Sequence, residues 1–252
     1  MTKELRDFAE TPDRFTHLSS DVERFDDGRV CIVQGATWAS VSAVCVEADE
    51  VTRLVEQVRA MVAAEKTADW SLGPSSQPPD LAERLRALGF RDPEDGVRRL
   101  HAVACVGPPG DVPAGIAVRR ADSYDDYLRA MELMWEAFGM PEDRRDARRP
   151  HLRSTFDAGG PTTFLAEVDG RAAGVGRAVH SGRGSFLIGG AVLPWARGRG
   201  VYRALVWARW DEAAGRGTPA LVTQAVPDTS YPILKRLGFV DVCEIRRLED
   251  PR

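Results

Sequence analysis

With 252 residues, 43% of them apolar and 29% charged, the chain has the composition of an ordinary globular protein and can fold as one large domain or two small ones without disulfide or metal staples. A formal charge of -4 gives no support to nucleic-acid binding through bulk electrostatics, and no stretch reaches membrane-spanning length, so neither nucleic acid nor membrane is expected as a partner. The N-terminus, M-T-K-E-L-R-D-F-A-E, has no apolar core of a signal sequence, and the expected location is the cytoplasm. All but three of the 34 basic Lys and Arg residues are arginine, the codon bias of a GC-rich, bacterial genome. Cys31, Cys45, Cys105 and Cys243 are scattered without a close pair, which reads as free thiols in a reducing compartment, with neither a metal site nor a disulfide framework.

Met1 to Asp27 is polar, with scattered aromatics, and predicts an arm containing little regular structure. Val30 to Gly35 and Thr37 to Glu47 carry strand residues around a glycine, a hairpin pattern. Apolar spacing predicts a helix over Glu50 to Glu65, a strand at Ala68 to Leu72, a helix from Pro79 to Leu88 that stops at Gly89, and a strand over Gly96 to Val106. The Gly-Pro-rich segment Gly107 to Pro113 breaks every regular element and is the expected domain boundary. After it come a strand at Ile116 to Arg119, a helix from Ser123 to Phe138 capped by Ser123, and a charged helical stretch over Pro141 to Phe156. Strands follow at Thr163 to Val168 and Ala172 to His180, joined by the hairpin signal Asp169-Gly170.

The two halves repeat each other. Leu81 to Phe90 aligns with Pro232 to Phe239 at a shared Leu-Gly-Phe, each followed by an acid-containing turn and a strand, and the elements before each copy come in the same order. A Leu-Gly-Phe helix stop is common in itself, so the agreement in element order carries the case.

Between the copies lies V-L-P-W-A-R-G-R-G-V-Y-R-A-L, residues Val192 to Leu205. It follows an apolar run from Phe186 and opens a helix over Val201 to Ala214. A strand, a basic glycine turn and a helix start suit phosphate, because the first N–H groups of a helix lack internal partners and sit at the positive end of its dipole, although most basic glycine turns are solvated and hold no ligand. At these residues the chain resembles the GNAT superfamily of acyl-CoA-dependent N-acyltransferases. Their signature sets a Gln or Arg, two free positions, a Gly, one free position and a Gly or Ala after a strand ending near Val-x-Pro. Arg197, Gly200, Val192 and Pro194 occupy the matching places, while Tyr202 departs from the last position and is expected to crowd the approach.

The resemblance implies a GNAT fold: an α/β (α+β) protein with a mixed, mostly antiparallel central sheet flanked by helices, in two related halves. Residues 1–107 would form a degenerate, truncated GNAT-like domain and residues 114–252 the N-acyltransferase domain. It further implies acetyl-CoA, or another acyl-CoA, as co-substrate. Ala191, Val192 and Leu193 would pair with the pantetheine, and Arg197, Gly198, Arg199, Gly200, Val201 and Tyr202 would hold the phosphates. Gly189 and Gly190 interrupt the strand, which a bulge, a passing ligand or close packing would explain. Ala220 to Ala225 would be the splayed partner strand. The equivalent loop of the first half, Val46 to Val51, has no glycine, and its acids Glu47, Asp49 and Glu50 would repel a phosphate or simply complement a helix dipole.

The expected reaction moves an acetyl group to a primary amine of a small molecule or peptide. Many family members carry a tyrosine four residues before the glycine of the last short helix; here Leu234 stands there, with Tyr231 one turn away. Removal of the amine proton needs a base. Glu136, between large apolar residues, is one candidate if buried and otherwise a solvated helix-face acid; His180 reads as a surface histidine, and Asp228 and Glu167 remain open. Glu136 and Tyr231 are the catalytic candidates. A non-catalytic acyl-CoA-binding or regulatory module is the alternative, and either a monomer or a homodimer is compatible with the sequence. No P-loop, dinucleotide fingerprint or metal-ligand spacing is present.

Overall fold

The computed structural model of the chain describes every residue except Val112 and Arg252, so the expected boundary segment and the end of the second expected domain each include one residue outside the described set. The amino-terminal segment is more regular than its polarity predicts. Helix α1 (Lys3–Glu10) begins at Thr2, whose hydroxyl accepts the Leu5 N–H at 3.3 Å, and it buries Leu5, Phe8 and Ala9. That i, i+3, i+4 stripe is short and diluted by five charges among eight residues, which hides it in the sequence. A 3-10 turn at Pro12–Arg14 and strand β1 (Glu23–Asp26) follow.

The rest of the first half has the expected order: β2 (Cys31–Gln34), β3 (Trp38–Ser42), α2 (Val51–Met61), β4 (Thr67–Leu72), α3 (Leu81–Ala87) and β5 (Arg99–Cys105). The second half comprises β6 (Ile116–Arg120), α4 (Tyr124–Ala137), α5 (Glu142–Asp157), β7 (Thr162–Val168), β8 (Arg171–Ser181), β9 (Gly184–Val192), α6 (Val201–Gly215), β10 (Leu221–Ala225), α7 (Ser230–Arg236) and β11 (Val240–Asp250). Ser123 caps α4 by accepting the Asp126 N–H at 3.2 Å. Asp169 and Gly170 turn β7 into β8 with φ of +53° and +73°, the left-handed pair a tight hairpin turn requires.

All the strands belong to one sheet of order β1-β2-β3-β4-β11-β5-β10-β9-β8-β7-β6, antiparallel except at β3–β4 and β9–β10. The last strand of each half lies against the other half: β5 pairs with β10, β11 pairs with β4, and β5 and β11 pair with each other at the centre. Phe8 of α1 closes this centre by packing with Ala102, Ala104, Val222 and Ile245, drawn from both halves. The repeat seen in sequence has a matching geometry. Gly89 and Gly238 end α3 and α7 with φ of +93° and +91°, and the N–H groups of Phe90 and Phe239 reach back to the carbonyls of Leu85 and Leu234, both at 3.1 Å. Both phenylalanines are buried.

Because three strand pairings, β4–β11, β11–β5 and β5–β10, cross between the halves, cutting at the linker would leave three unpaired strand edges in each fragment. A single cooperative transition is expected in scanning calorimetry of the whole chain, and fragments 1–107 and 114–252 expressed separately should lack protected amides in β4 and β10 by hydrogen exchange. Two well-separated transitions, or full protection in an isolated fragment, would show that the halves fold independently.

Candidate functional site

β9 and β10 run parallel but share only the pairs Leu221↔Ser185 and Val222↔Phe186. The Thr223 hydroxyl donates to the Leu187 carbonyl at 3.0 Å, and past that bond the strands diverge into a wedge. A bulge sits at the mouth of the wedge. Along β8 and β9 the register passes from Arg177↔Ile188 to Val175↔Ala191, so that Gly189 and Gly190 oppose the single Gly176. Gly189 has φ of +53°, and a Cβ on it would stand 2.8 Å from the Met134 sulfur; one on Gly190 would stand 3.0 Å from the Tyr202 ring. Both the bulge and close packing therefore account for this glycine pair.

Beyond Val192 the chain makes a 3-10 turn at Pro194–Ala196 and then passes through Gly198 and Gly200, with φ of +76° and +89°, into α6. Gly200 is the N-cap and offers no side chain, so the N–H groups of Val201, Tyr202 and Arg203 have no partner within the helix. Arg197, Gly198 and Arg199 are exposed; Arg197 Nε donates to the Val192 carbonyl at 3.2 Å and Arg199 pairs with Asp169 at 2.9 Å. Free amides, a helix dipole and two exposed guanidinium groups suit a phosphate diester. The linker runs close by: Trp207 Nε1 donates to the Gly110 carbonyl at 3.0 Å, and a Cβ on Gly200 would meet Pro113 at 3.1 Å.

Tyr202 does not crowd this loop. Its ring turns back beneath β9, against Gly190 and 5.9 Å from the Arg209 guanidinium, because the second residue of α6 lies on the side of the helix that faces the sheet. Ala191 and Leu193 are buried on the α4 side and Val192 packs on the α6 side; their backbones bond β8 on one edge and border the wedge on the other.

The first half lacks both features. Its parallel pair β3–β4 holds through Val41↔Trp70, and beyond it the chain fills the place of the wedge with its own Gln77, whose N–H donates to the Val44 carbonyl at 2.8 Å and whose carbonyl accepts the Val46 N–H at 3.4 Å. Glu50 precedes α2, accepting the Glu47 N–H at 3.3 Å and pairing with Arg53 at 2.6 Å.

The two catalytic candidates are not brought together. Leu133, Met134 and Trp135 are buried while Glu136 is exposed, because the helix turns it out of the apolar arc; the burial that would make it a base is not found. Tyr231 begins α7 on the opposite face of the sheet. Its ring stacks on His101 with centroids 4.1 Å apart, and its hydroxyl bonds Asp241, which holds the phenol above its ordinary range. Leu234 is 1% exposed and belongs to the core with Val206 and Phe239. Asp228 is exposed, and Glu167 lies 3.7 Å from Arg119. His180 is half-buried rather than exposed: its two ring nitrogens lie 2.8 Å from the hydroxyls of Thr162 and Ser185, and burial, with Arg216 adding to it, pushes its pKa down to about 4.

Sequence reasoning missed the two arginines that flank the bulge. Arg177 extends from β8 toward α4, its Cδ 3.3 Å from where a Gly189 Cβ would stand. Arg209, 1% exposed on α6, lies against Gly176 from the other face and donates from Nε to the Leu205 carbonyl at 2.9 Å and from a terminal nitrogen to the Arg177 carbonyl at 3.4 Å. Burial lowers both guanidinium pKa values. The available signal was Gly174-Val-Gly-Arg-Ala-Val179, a charge in a strand otherwise built of small apolar residues. On the Arg177 side of the sheet a cavity of about 890 Å³ opens between α4, α5 and the segment after α1, with Tyr127, His180 and Ile188 among its walls.

A parallel wedge, a left-handed glycine loop at a helix start and a short helix after the second strand together define a GNAT fold. Residues 127–239 match the sequence model described as Acetyltransferase (GNAT) family. Among solved structures the chain is similar to a GCN5-related N-acetyltransferase from Kribbella flavida, with 18% identity and a TM-score of 0.67 over 99% of this chain and 95% of that one. A tandem GNAT protein from the clavulanic acid biosynthesis pathway shares 16% identity at a TM-score of 0.59, with 97% and 87% covered. A GCN5-related N-acetyltransferase from Sphaerobacter thermophilus shares 21% identity at a TM-score of 0.55, with 88% and 80% covered. None of the curated proteins matches the chain.

The His180 environment gives a pH dependence. Above its ordinary value of 6.5 the imidazole is neutral in both the folded and unfolded chain; as pH falls toward about 4 the unfolded chain takes up a proton that the folded site refuses, and stability falls. The decline in melting temperature between these pH values should therefore be shallower in His180→Gln than in the parent. Equal slopes would show that His180 titrates normally in the folded protein.

Proposed function

We propose that the chain is an acyl-CoA-dependent N-acyltransferase that moves an acetyl group from acetyl-CoA to a primary amine of a small molecule or peptide. In this reading residues 114–252 form the catalytic unit and residues 1–107 a degenerate copy. The observation that carries it is the contrast between the two parallel pairs: β9–β10 opens a wedge that leads to a free glycine loop, whereas β3–β4 is plugged by Gln77 and has no such loop. The open backbone edge at Ala191, Val192 and Leu193 suits an extended amide-bearing arm, which needs partners for its own N–H and C=O groups. Arg197, Gly198, Arg199, Gly200, Val201 and Tyr202 suit a pyrophosphate, Tyr202 through its backbone because its side chain is turned away.

Acetyl-CoA supplies the acyl group as a thioester, and the transfer forms a C–N bond, breaks a C–S bond and moves one proton from the amine toward the departing sulfur. Leu234 offers no proton there, and the Tyr231 hydroxyl is engaged by Asp241. Glu136, being exposed, would act through water. Those same two observations favour a second reading, a non-catalytic acyl-CoA-binding module, which differs by binding the cofactor without turning over any amine. The reading includes a cytoplasmic location and a monomer or homodimer; no described helix is long and apolar enough to cross a membrane.

Calorimetric titration with acetyl-CoA tests the reading. Arg199 is exposed and free of backbone strain, so Arg199→Glu should leave the melting temperature within a few degrees of the parent. Loss of one charge-assisted bond to an anion costs about 1.5–3 kcal/mol, so affinity should fall by at least about tenfold. Glu50→Gly in the plugged half should leave it unchanged. No binding at millimolar acetyl-CoA would overturn the proposal.

A further inference from the structure

The cavity beside the bulge is lined by a guanidinium that, among the described residues, has no acid partner. Its walls carry three carboxylates, each already engaged: Asp13 accepts the Ser40 hydroxyl at 2.6 Å, Asp21 accepts those of Ser19 at 2.5 Å and Thr155 at 2.7 Å, and Asp122 pairs with Arg120 at 2.8 Å. Arg177 stands apart. Among the described residues its guanidinium makes neither an ion pair nor a hydrogen bond, and its Nε is buried without a partner. The neighbouring titratable group is the Tyr127 phenol from α4, which burial keeps protonated and which supplies no negative charge. At the rim, Arg148 of α5 adds a second cation, facing Arg144 rather than an acid.

A guanidinium drawn out of water without a counter-ion is costly to the folded state, and the cost is recovered when a planar oxyanion is received on its fork. The stem of Arg177 touches the bulge residue Gly189, at the mouth of the β9–β10 wedge. An anion seated on Arg177 would thus hold the rest of its molecule within the cavity and next to the wedge. We propose that Arg177 is the specificity-determining residue of the acceptor site and that the amine acceptor carries a carboxylate or phosphate group, which Arg177 receives. The inference rests on the acyltransferase reading above, and it assigns the cavity between α4, α5 and the segment after α1 to the acceptor.

The test measures free-CoA release from acetyl-CoA with matched pairs of amines: L-amino acids against their amides, and 2-aminoethyl phosphate against ethanolamine. Binding of the same compounds to the whole chain, followed by calorimetry, supplies a readout independent of turnover. The parent should prefer the anionic member of at least one pair by about tenfold or more in kcat/KM, or in affinity, since one charge-assisted bond is worth at least that factor. The pair that shows the preference says whether the anion is a carboxylate or a phosphate. Arg177→Met should abolish the preference, through a rise in KM for the anionic member. Arg177→Lys, which keeps the charge and loses the fork, should retain part of the preference and serves as the check if the methionine variant does not fold. Equal handling of anionic and neutral amines by a parent that binds acetyl-CoA would overturn this inference and leave the acyltransferase reading standing. A parent that binds no acetyl-CoA but still binds an anionic amine through Arg177 would sink that reading instead.

Discussion

The separation of β9 from β10 after two residue pairs is the constraint on which the rest of this molecule turns. Parallel strands normally satisfy one another's backbone groups, and leaving them apart exposes N–H and C=O groups that need other partners. β10 can leave β9 because β5 pairs with it from Leu221 to Ala225 on its other edge. β9 can leave because β8 holds it beyond the bulge, at Val175↔Ala191 and Gly174↔Val192. The wedge thus costs each strand one edge only. The bulge also aims the following residues of β9 toward the glycine loop, so a single irregularity sets the distance between wedge and loop.

Seen from the wedge, the first half has a structural task despite its plugged slot. It contributes β5, without which β10 would have a free edge on both sides, and α1, which packs over the junction of β5, β10 and β11. In return β11 completes the first half against β4, with the buried Asp250 at its end paired to Arg59 of α2 at 2.8 Å. Each half is therefore finished by the other. That interdependence gives a physical reason for a half to persist after its own parallel pair has closed around Gln77.

The order of elements after Val30 was legible because each carries a strong local signal: the alternating strands, the Ser123 cap, the Asp169-Gly170 turn and the paired Leu-Gly-Phe stops. The glycine loop was legible because its function depends on backbone freedom, and only glycine writes that freedom into a sequence. What the sequence did not reveal is non-local. The exchange of β5 and β11 leaves no local mark, since each strand looks the same whichever neighbour it takes. α1 was hidden because three buried residues in an eight-residue helix make too short a period. Glu136, left open between a buried base and a solvated acid, and His180, read as a surface histidine, share one difficulty: whether a polar residue in an apolar context is buried depends on which way the element turns it. Glu136 among large apolar residues faces water, and His180 at a strand end faces two hydroxyls.

The same distinction separates the two arginines at the bulge. Arg209 is the more deeply buried, yet its environment has a structural explanation. At the bulge the Arg177 carbonyl no longer meets β9 in regular register, and in a helix a side chain can reach the carbonyl four residues back; Arg209 bonds both the Arg177 and Leu205 carbonyls. Its guanidinium also lies in the space that Gly176 and Gly190 leave by having no side chains. Arg177 has no such role. Its backbone is what Arg209 satisfies, while its own guanidinium crosses to the other face and ends beside an open volume with, among the described residues, no carbonyl or carboxylate to receive it. Packing alone would favour an apolar side chain at that position, as it does at Val175 and Val179 on the same face of the same strand. A cation retained there, unpaired and touching the bulge, is accounted for by a ligand rather than by the fold.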